Sequence, residues 1–209
     1  MRRTDEAVEA KAPSTPLGQR AGMSSEGGRL RGYRSVVIQL RAATRDDVPA
    51  IAAINVRSWQ VSFRGHFPDH FLDALDPADR ESFVTEVVTS GPPHHVTVAT
   101  EDDHVVGYVM LGPPFDDDID AIETLELYSL YIEPERIGTG LGRLLIDEAL
   151  RYLRQGPWKA AVLWAPKAVE RTCRFYEAAG WVAEAEKTED VPAGNPVLQV
   201  RYRIELSDP

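Results

Sequence analysis

The chain has 209 residues, 43% of them hydrophobic and 27% charged, the balance of a soluble globular domain and not of a disordered chain. Its apolar runs are too short for a transmembrane helix, and its start lacks the basic-then-apolar profile of a secretory leader. The net charge of −10, from 23 basic and 33 acidic residues, argues against a general binder of nucleic-acid phosphates, and the lone cysteine, Cys173, suits a reducing, cytoplasmic setting.

The charge is uneven along the chain. Residues 1–37 hold seven basic and four acidic residues, a net of +3, which leaves −13 on residues 38–209. Residues 1–35 are rich in Gly, Ser, Pro and Ala without helix or strand period, so a flexible tail is expected there, ahead of one domain at 36–209. Its arginines are dispersed, with no aromatic interleaving beyond Tyr33, unlike a nucleic-acid arm.

From Val36 the chain punctuates itself regularly. Residues 36–41 read as a strand. Thr44-Arg45-Asp46-Asp47 then reads as a capping box opening a helix with Val48, Ile51, Ala52 and Val56 on one face and Trp59 near its close. Shorter helical stretches follow at 69–75 and 77–88. Two β runs, 95–100 and 105–111, are joined by Glu101-Asp102-Asp103-His104 as a hairpin. The acidic loop Asp116-Asp117-Asp118 leads to a long strand at 123–132, and a glycine-rich turn opens a helix with the apolar stripe Leu141, Leu144, Leu145, Ala149, Tyr152 and Leu153. A strand at 160–165, a helix at 168–178 and strands at 181–187 and 197–206 complete the order. Hairpins first and strand–helix alternation later predict an α/β domain with a mixed central sheet of six to seven strands flanked by about four helices.

The turn after the long strand, Ile137-Gly138-Thr139-Gly140-Leu141-Gly142-Arg143, is the most informative segment. Glycine allows positive φ and close backbone approach, and first-turn helix amides have no intrahelical partner, so a pyrophosphate fits there. A P-loop would need Gly-Lys-Ser/Thr after its glycines, and a dinucleotide fold would need G-x-G-x-x-G early in a βαβ unit. Neither is present. Glycines that serve packing alone remain the other reading.

This segment resembles the glycine signature of the GNAT-type N-acetyltransferases, usually Q/R-x-x-G-x-G/A, with Ile137 in place of the first residue and Arg136 beside it. A second match lies in Phe175-Tyr176-Glu177-Ala178-Ala179-Gly180-Trp181, which looks like the family's F-Y-x-x-x-G-F/W segment. The resemblance spans 36–206. It implies the GNAT fold and transfer of acetyl from acetyl-coenzyme A to an amine, by direct attack in a ternary complex. It also implies that the backbone of Leu130, Tyr131 and Ile132 pairs with the pantetheine arm, and that Gly138, Thr139, Gly140, Leu141, Gly142 and Arg143 wrap the pyrophosphate. Seven residues before Tyr176 the family usually has Asn, where this chain has Val169. Val169, Cys173 and Tyr176 fall on one helical face at i, i+4 and i+7, so Val169 and Cys173 join the candidate cofactor contacts.

Acetylation of an amine needs a proton acceptor near nitrogen and a proton for the departing thiolate. In several family members a Glu at the position of Glu126 is the base. Period-two alternation puts Glu126 on one strand face with Tyr128, Leu130 and Ile132, and a solvent-exposed strand Glu is the alternative. The family's Tyr in the second motif protonates the thiolate, which implies Tyr176 as acid; an ordinary core-edge tyrosine is the alternative. An oxyanion contact is expected from a backbone N–H near residues 130–132, where such strands splay. Cys173 lacks a nearby His and is not expected to carry acyl.

Residues 59–68 resemble a W-x-x-x-Y/F-R-G-x-x-P pattern that lines the acceptor pocket in some members. This makes Trp59 and Phe63, with Tyr128, candidate acceptor contacts; core packing is the alternative for the first two. The five histidines show no ligand spacing, and no metal is expected. Asp116–Asp118 is read either as a solvated loop or, with the acidic domain, as an attraction for a cationic small-molecule or peptide amine. Family members often dimerise, so a homodimer is among the expectations. A non-catalytic coenzyme A-binding sensor or scaffold is the alternative function.

Overall fold

A computed structural model describes residues 37–189 and 196–206; the expected tail at 1–35 lies outside them. Seven strands form one sheet in the order β1-β2-β3-β4-β5-β7-β6. They are β1 (Ile38–Ala42), β2 (His95–Glu101), β3 (His104–Gly112), β4 (Thr124–Ile132), β5 (Ala160–Pro166), β6 (Val182–Glu189) and β7 (Val197–Glu205). All neighbours are antiparallel except β4 and β5. The helices are α1 (Val48–Ser62), α2 (Asp69–Asp73), α3 (Ala78–Ser90), α4 (Leu141–Gln155) and α5 (Glu170–Ala178). The mixed sheet agrees with the expectation, and five α-helices accompany it among the described residues, where about four were expected.

Local chemistry explains the joints. The β2–β3 hairpin turns on Asp102 and Asp103, both at positive φ (48° and 67°), the twist that matches two antiparallel strands across a two-residue loop. The parallel β4–β5 pair needs a crossover, and α4 supplies it.

The sheet is covered on both faces. On one side α4 and α5 bury Leu141, Leu145, Ile146, Cys173 and Tyr176 against Val109, Leu111, Leu125 and Leu127. On the other, α1 and α3 bury Val48, Ile51, Val84 and Val87 against Val98, Tyr108 and Met110. The buried stripe of α4 is Leu141, Leu145, Ile146, Ala149, Leu150 and Leu153. The expected Leu144 is 41% exposed and Tyr152 half-buried. The 3.6-residue turn carries the stripe through i+4, i+5, i+8, i+9 and i+12, leaving those two on its flank.

The β3–β4 ladder slips once. Met110 pairs with Ser129 but Leu111 with Leu127, so Tyr128 is the extra residue of a bulge. This corrects the period-two reading of β4. Leu125, Leu127, Leu130 and Ile132 face α4, whereas Tyr128 and Tyr131 pack with the α1–α3 side. Glu126 therefore does not share a face with Leu130 and Ile132, because the bulge reverses the parity of everything beyond it.

The entry to α1 is pinned by Asp47. Its carboxylate accepts from both Arg41 Nη atoms at 2.7 and 2.8 Å and from the Thr44 amide at 2.8 Å, which completes one half of the expected capping box. The Thr44 hydroxyl donates to the same carboxylate at 3.0 Å. The Arg41 guanidinium holds the Asp47 carboxyl down at about 2, with help from Thr44 and against the effect of burial. An acid depressed in the folded state stabilises above its unfolded pKa and loses that contribution as pH falls through the folded one. Asp47→Asn is expected to cost about 1–2 kcal/mol at pH 7 in urea denaturation. The deficit should shrink as pH is lowered from about 4 to 2, and a pH-independent deficit would assign the loss to packing.

Candidate functional site

β4 and β5 run together over only three pairs, Thr124–Glu126 with Ala160–Val162. Past Glu126 the strands part. Leu127 to Ile132 then lie along one side of a cleft of about 830 Å³, with Trp164, Ala165 and Pro166 on the other. The bulge at Tyr128 sharpens the local twist at the point of separation. The expected splay is present, with its bulge at Tyr128 rather than within 130–132.

The glycine turn closes one end of this cleft. Gly138 and Gly140 hold φ of +85° and +90°, which favours glycine, and Gly140 caps α4. A Cβ at either would meet nothing within 4 Å, so the turn presents open space rather than packed interior. The first-turn amides of α4, with no intrahelical acceptor and at the positive end of the helix dipole, border that space. A pyrophosphate-bearing cofactor fits such a cradle. Arg143 lines the cleft too, while pairing with Asp147 at 2.8 Å. Thr139 turns its hydroxyl back to the Arg136 carbonyl at 2.7 Å, and Leu141 is buried in the core; neither side chain enters the cleft, so their backbone is what this end offers.

At the base of the cleft stands Tyr176, 6% exposed. Burial pushes its hydroxyl pKa well up, so the proton stays on oxygen across the physiological range. Tyr131 lies close enough that Tyr176, after burial and Tyr108, also raises its pKa. Val169 lines the cleft from the N-cap of α5 and packs with Phe63, Phe67 and Leu72. Cys173 does not follow it. Its thiol is buried 3.8 Å from the Pro166 carbonyl, outside the cleft lining, because α5 starts at Glu170 and leaves Val169 as a non-helical cap.

Glu126 is neither exposed nor in the cleft lining. It is 7% exposed, and its Oε2 accepts the Phe115 amide at 3.0 Å. Burial raises its pKa, the Phe115 amide opposes this, and nearby Asp116 adds to the rise. Its chain neighbours Leu127 and Tyr128 do line the cleft. The Tyr128 ring lies directly over Gly112, where a Cβ would collide with it, and its hydroxyl donates to the Pro113 carbonyl at 2.5 Å. Phe63 reaches the cleft, whereas Trp59 stands behind it in an edge-on contact at 4.7 Å.

The acidic loop has local partners. Arg201, 9% exposed, donates to both Asp118 oxygens at 2.8 Å, to Asp116 at 3.3 Å and to Glu184 at 2.6 Å. Asp116 also accepts from the Trp164 indole at 2.7 Å and from Lys187 at 3.4 Å. Trp164 and Ser58, both on the cleft wall, have no motif in the sequence to mark them, and His66, also there, fills a variable position of the 59–68 segment. The Asp116–Arg201 pair spans 85 residues and leaves no local signal.

A model of the acetyltransferase (GNAT) family matches residues 50–181. A Mycobacterium tuberculosis protein assigned as an N-acetyltransferase is 25% identical over 176 residues, 82% of this chain and 96% of its own length. A Salmonella typhimurium protein assigned as an acetyltransferase, solved with its cofactor acetyl-CoA, has a TM-score of 0.65 at 20% identity, over 82% of this chain and 95% of its own. An N-acetyltransferase of Thermoplasma acidophilum, solved in complex with coenzyme A, gives 0.59 at 17% identity, over 78% and 98%. At those identities the two structures establish likeness of fold.

The environment of Glu126 generates a stability test. An acid whose folded pKa is raised loses stability as pH climbs past its unfolded pKa, because the fold then holds an unfavourable charge. Relative to the native chain, Glu126→Gln should gain in urea midpoint between pH 5 and pH 8, with the gap closing below pH 4. A gap that does not change with pH would show that the charge carries no cost.

Proposed function

The chain belongs to the acetyltransferase (GNAT) family, and we propose that it moves acetyl from acetyl-coenzyme A directly to a primary amine held in the same cleft. Acetyl-coenzyme A is the co-substrate and supplies the acetyl thioester, from which acetyl passes to nitrogen with release of the thiol. The observation that carries the reading is the parting of β4 and β5, with an open glycine turn at one end of the gap and a buried tyrosine hydroxyl at its base.

Each group then has a task. The β4 edge left without a β5 partner beyond Glu126 offers main-chain donors and acceptors to the pantetheine arm. Gly138, Gly140, Gly142 and the first-turn amides of α4 hold the pyrophosphate, with Arg143 beside them. An N–H of the splayed β4 segment polarises the carbonyl oxygen. Tyr176 supports departure of sulfur. With its pKa raised it is a weaker acid than a thiol, so it keeps its proton and gives the departing sulfur a hydrogen bond as charge develops there.

Glu126, outside the cleft lining, takes the amine proton through water, and a carboxyl with a raised pKa is better matched to that work near neutrality. Val169 supplies an apolar contact where related sequences place an amide. Cys173 is left to packing. Trp59 supports Phe63 from behind, and Tyr128 and Phe63 face the acceptor. Because Asp116 and Asp118 are paired with Arg201 and Lys187, the acceptor needs an amine but no second positive charge.

Release of free thiol from acetyl-coenzyme A in the presence of an amine panel tests the reading. Tyr176→Phe is expected to lower kcat at least tenfold with the Kd for coenzyme A unchanged; an unaltered kcat would remove the tyrosine from the mechanism. Glu126→Gln should lose most activity at low pH, where the amine is protonated, and an equal loss at every pH would make Glu126 a positioning group. Tight binding of acetyl-coenzyme A with no thiol release on any amine would favour a non-catalytic coenzyme A-binding module.

A further inference from the structure

We propose that the acceptor is a small primary amine carried on an aromatic ring, received by the Tyr128 and Trp164 side chains at the end of the cleft away from the glycine turn. The proposal rests on the acetyl-transfer reading and names its substrate class. Tyr128 lies four residues before the end of β4, about 13 Å along the strand from Ile132, from which the chain continues to the glycine turn. The two ends of the cleft thus belong to different ligands.

Charge removes the polycations first. A polyamine or a lysine side chain in a basic peptide is recognised by free carboxylates, and among the described residues none lines this end of the cleft, Glu86 near Tyr128 standing outside the lining. Asp118 is bidentate to Arg201, Asp116 is shared by Arg201, Lys187 and the Trp164 indole, and Glu126 is buried under the Phe115 amide. The carboxylate that does line the cleft, Glu170, sits on α5 and pairs with Arg174 at 2.9 Å.

The rings are held before any ligand arrives. Trp164 is fixed through its N–H to Asp116 at 2.7 Å, with the Lys187 ammonium 3.9 Å and the Arg201 guanidinium 5.5 Å from its ring centroid, and it lines the cleft. Tyr128 is fixed by its bond to Pro113 and by stacking on Phe115, centroids 4.8 Å apart and planes at 29°. Rings with no freedom left to lose bind a further ring at low entropic cost.

The aromatic surface also runs out of the cleft. Phe115 is 68% exposed and Phe83 is 42% exposed, and both contact Tyr128, at 4.8 and 5.9 Å. A contiguous exposed aromatic patch joined to a cleft marks a binding surface. Its continuity with the cleft through Tyr128 identifies the occupant as the body of the molecule whose amine lies inside.

Thiol release from acetyl-coenzyme A is to be measured with 2-phenylethylamine, butylamine and 1,4-diaminobutane. Contact with each held ring is worth about 2- to 12-fold, so kcat/KM for 2-phenylethylamine should exceed that for both aliphatic amines about tenfold or more. Phe115→Ala, which keeps the backbone amide on Glu126, should cut that preference about threefold or more with coenzyme A affinity unchanged. Comparable or higher kcat/KM on butylamine or the diamine overturns the aromatic acceptor and leaves acetyl transfer standing. Preference retained in Phe115→Ala removes the outer patch from the site and overturns the extended surface. No release on any of the three amines, with release on another amine of the panel, overturns the aromatic acceptor alone; no release on the whole panel with coenzyme A bound overturns the acetyl-transfer reading as well.

Discussion

The functional geometry depends on one limit to strand pairing: β4 and β5 share only the stretch Thr124–Glu126 with Ala160–Val162. Full pairing would satisfy the main-chain groups of Leu127 to Ile132 and leave no gap. The crossover through α4 requires the two strands to be parallel where they meet, and the bulge at Tyr128 turns β4 away just afterwards. An unpaired strand edge inside a sheet is normally a liability. Here it borders a cleft roofed by α1 and α5, and the Ser58 hydroxyl already donates to the Ile132 carbonyl at 2.9 Å.

That same bulge decides which side chains can act together. By reversing the alternation it sends Leu130 and Ile132 into the α4 core and leaves Tyr128 and Tyr131 on the opposite face. The strand thus offers backbone to the cleft at one level and aromatic rings at another. Its start is stiffened from outside: Arg201 gathers Asp116, Asp118 and Glu184 and so ties the β3–β4 loop to β6 and β7. The loop in turn seats the Phe115 amide on Glu126 and Asp116 on the Trp164 indole. A buried guanidinium with several carboxylates has its desolvation offset by close hydrogen bonds, and removing it would leave those acids unpartnered.

The acidic surplus of the domain takes on a different meaning in this light. Counted along the chain, Asp116–Asp118 is an isolated cluster of negative charge. In the fold, Arg201 and Lys187 answer it from 85 and 71 residues away. A local charge run therefore predicts a field only where no distant partner neutralises it.

Most elements were legible because they rest on short-range chemistry. The two acidic residues at the hairpin, the proline and glycine breaks, the apolar run of β3 and the stripe of α4 each encode their own conformation within a few residues, and the glycine turn marks a helix start that can hold an anion. Sequence alone thus determined the α/β order, the family and the glycine turn that opens α4. Only the tertiary structure decided the bulge at Tyr128, the burial of Glu126, the retreat of Cys173 and Trp59 from the cleft, and the entry of Trp164 into it. The bulge, the burial of Glu126 and the entry of Trp164 depend on pairing register or on polar contacts between separate segments, and such contacts exist only once the sheet has brought its strands together.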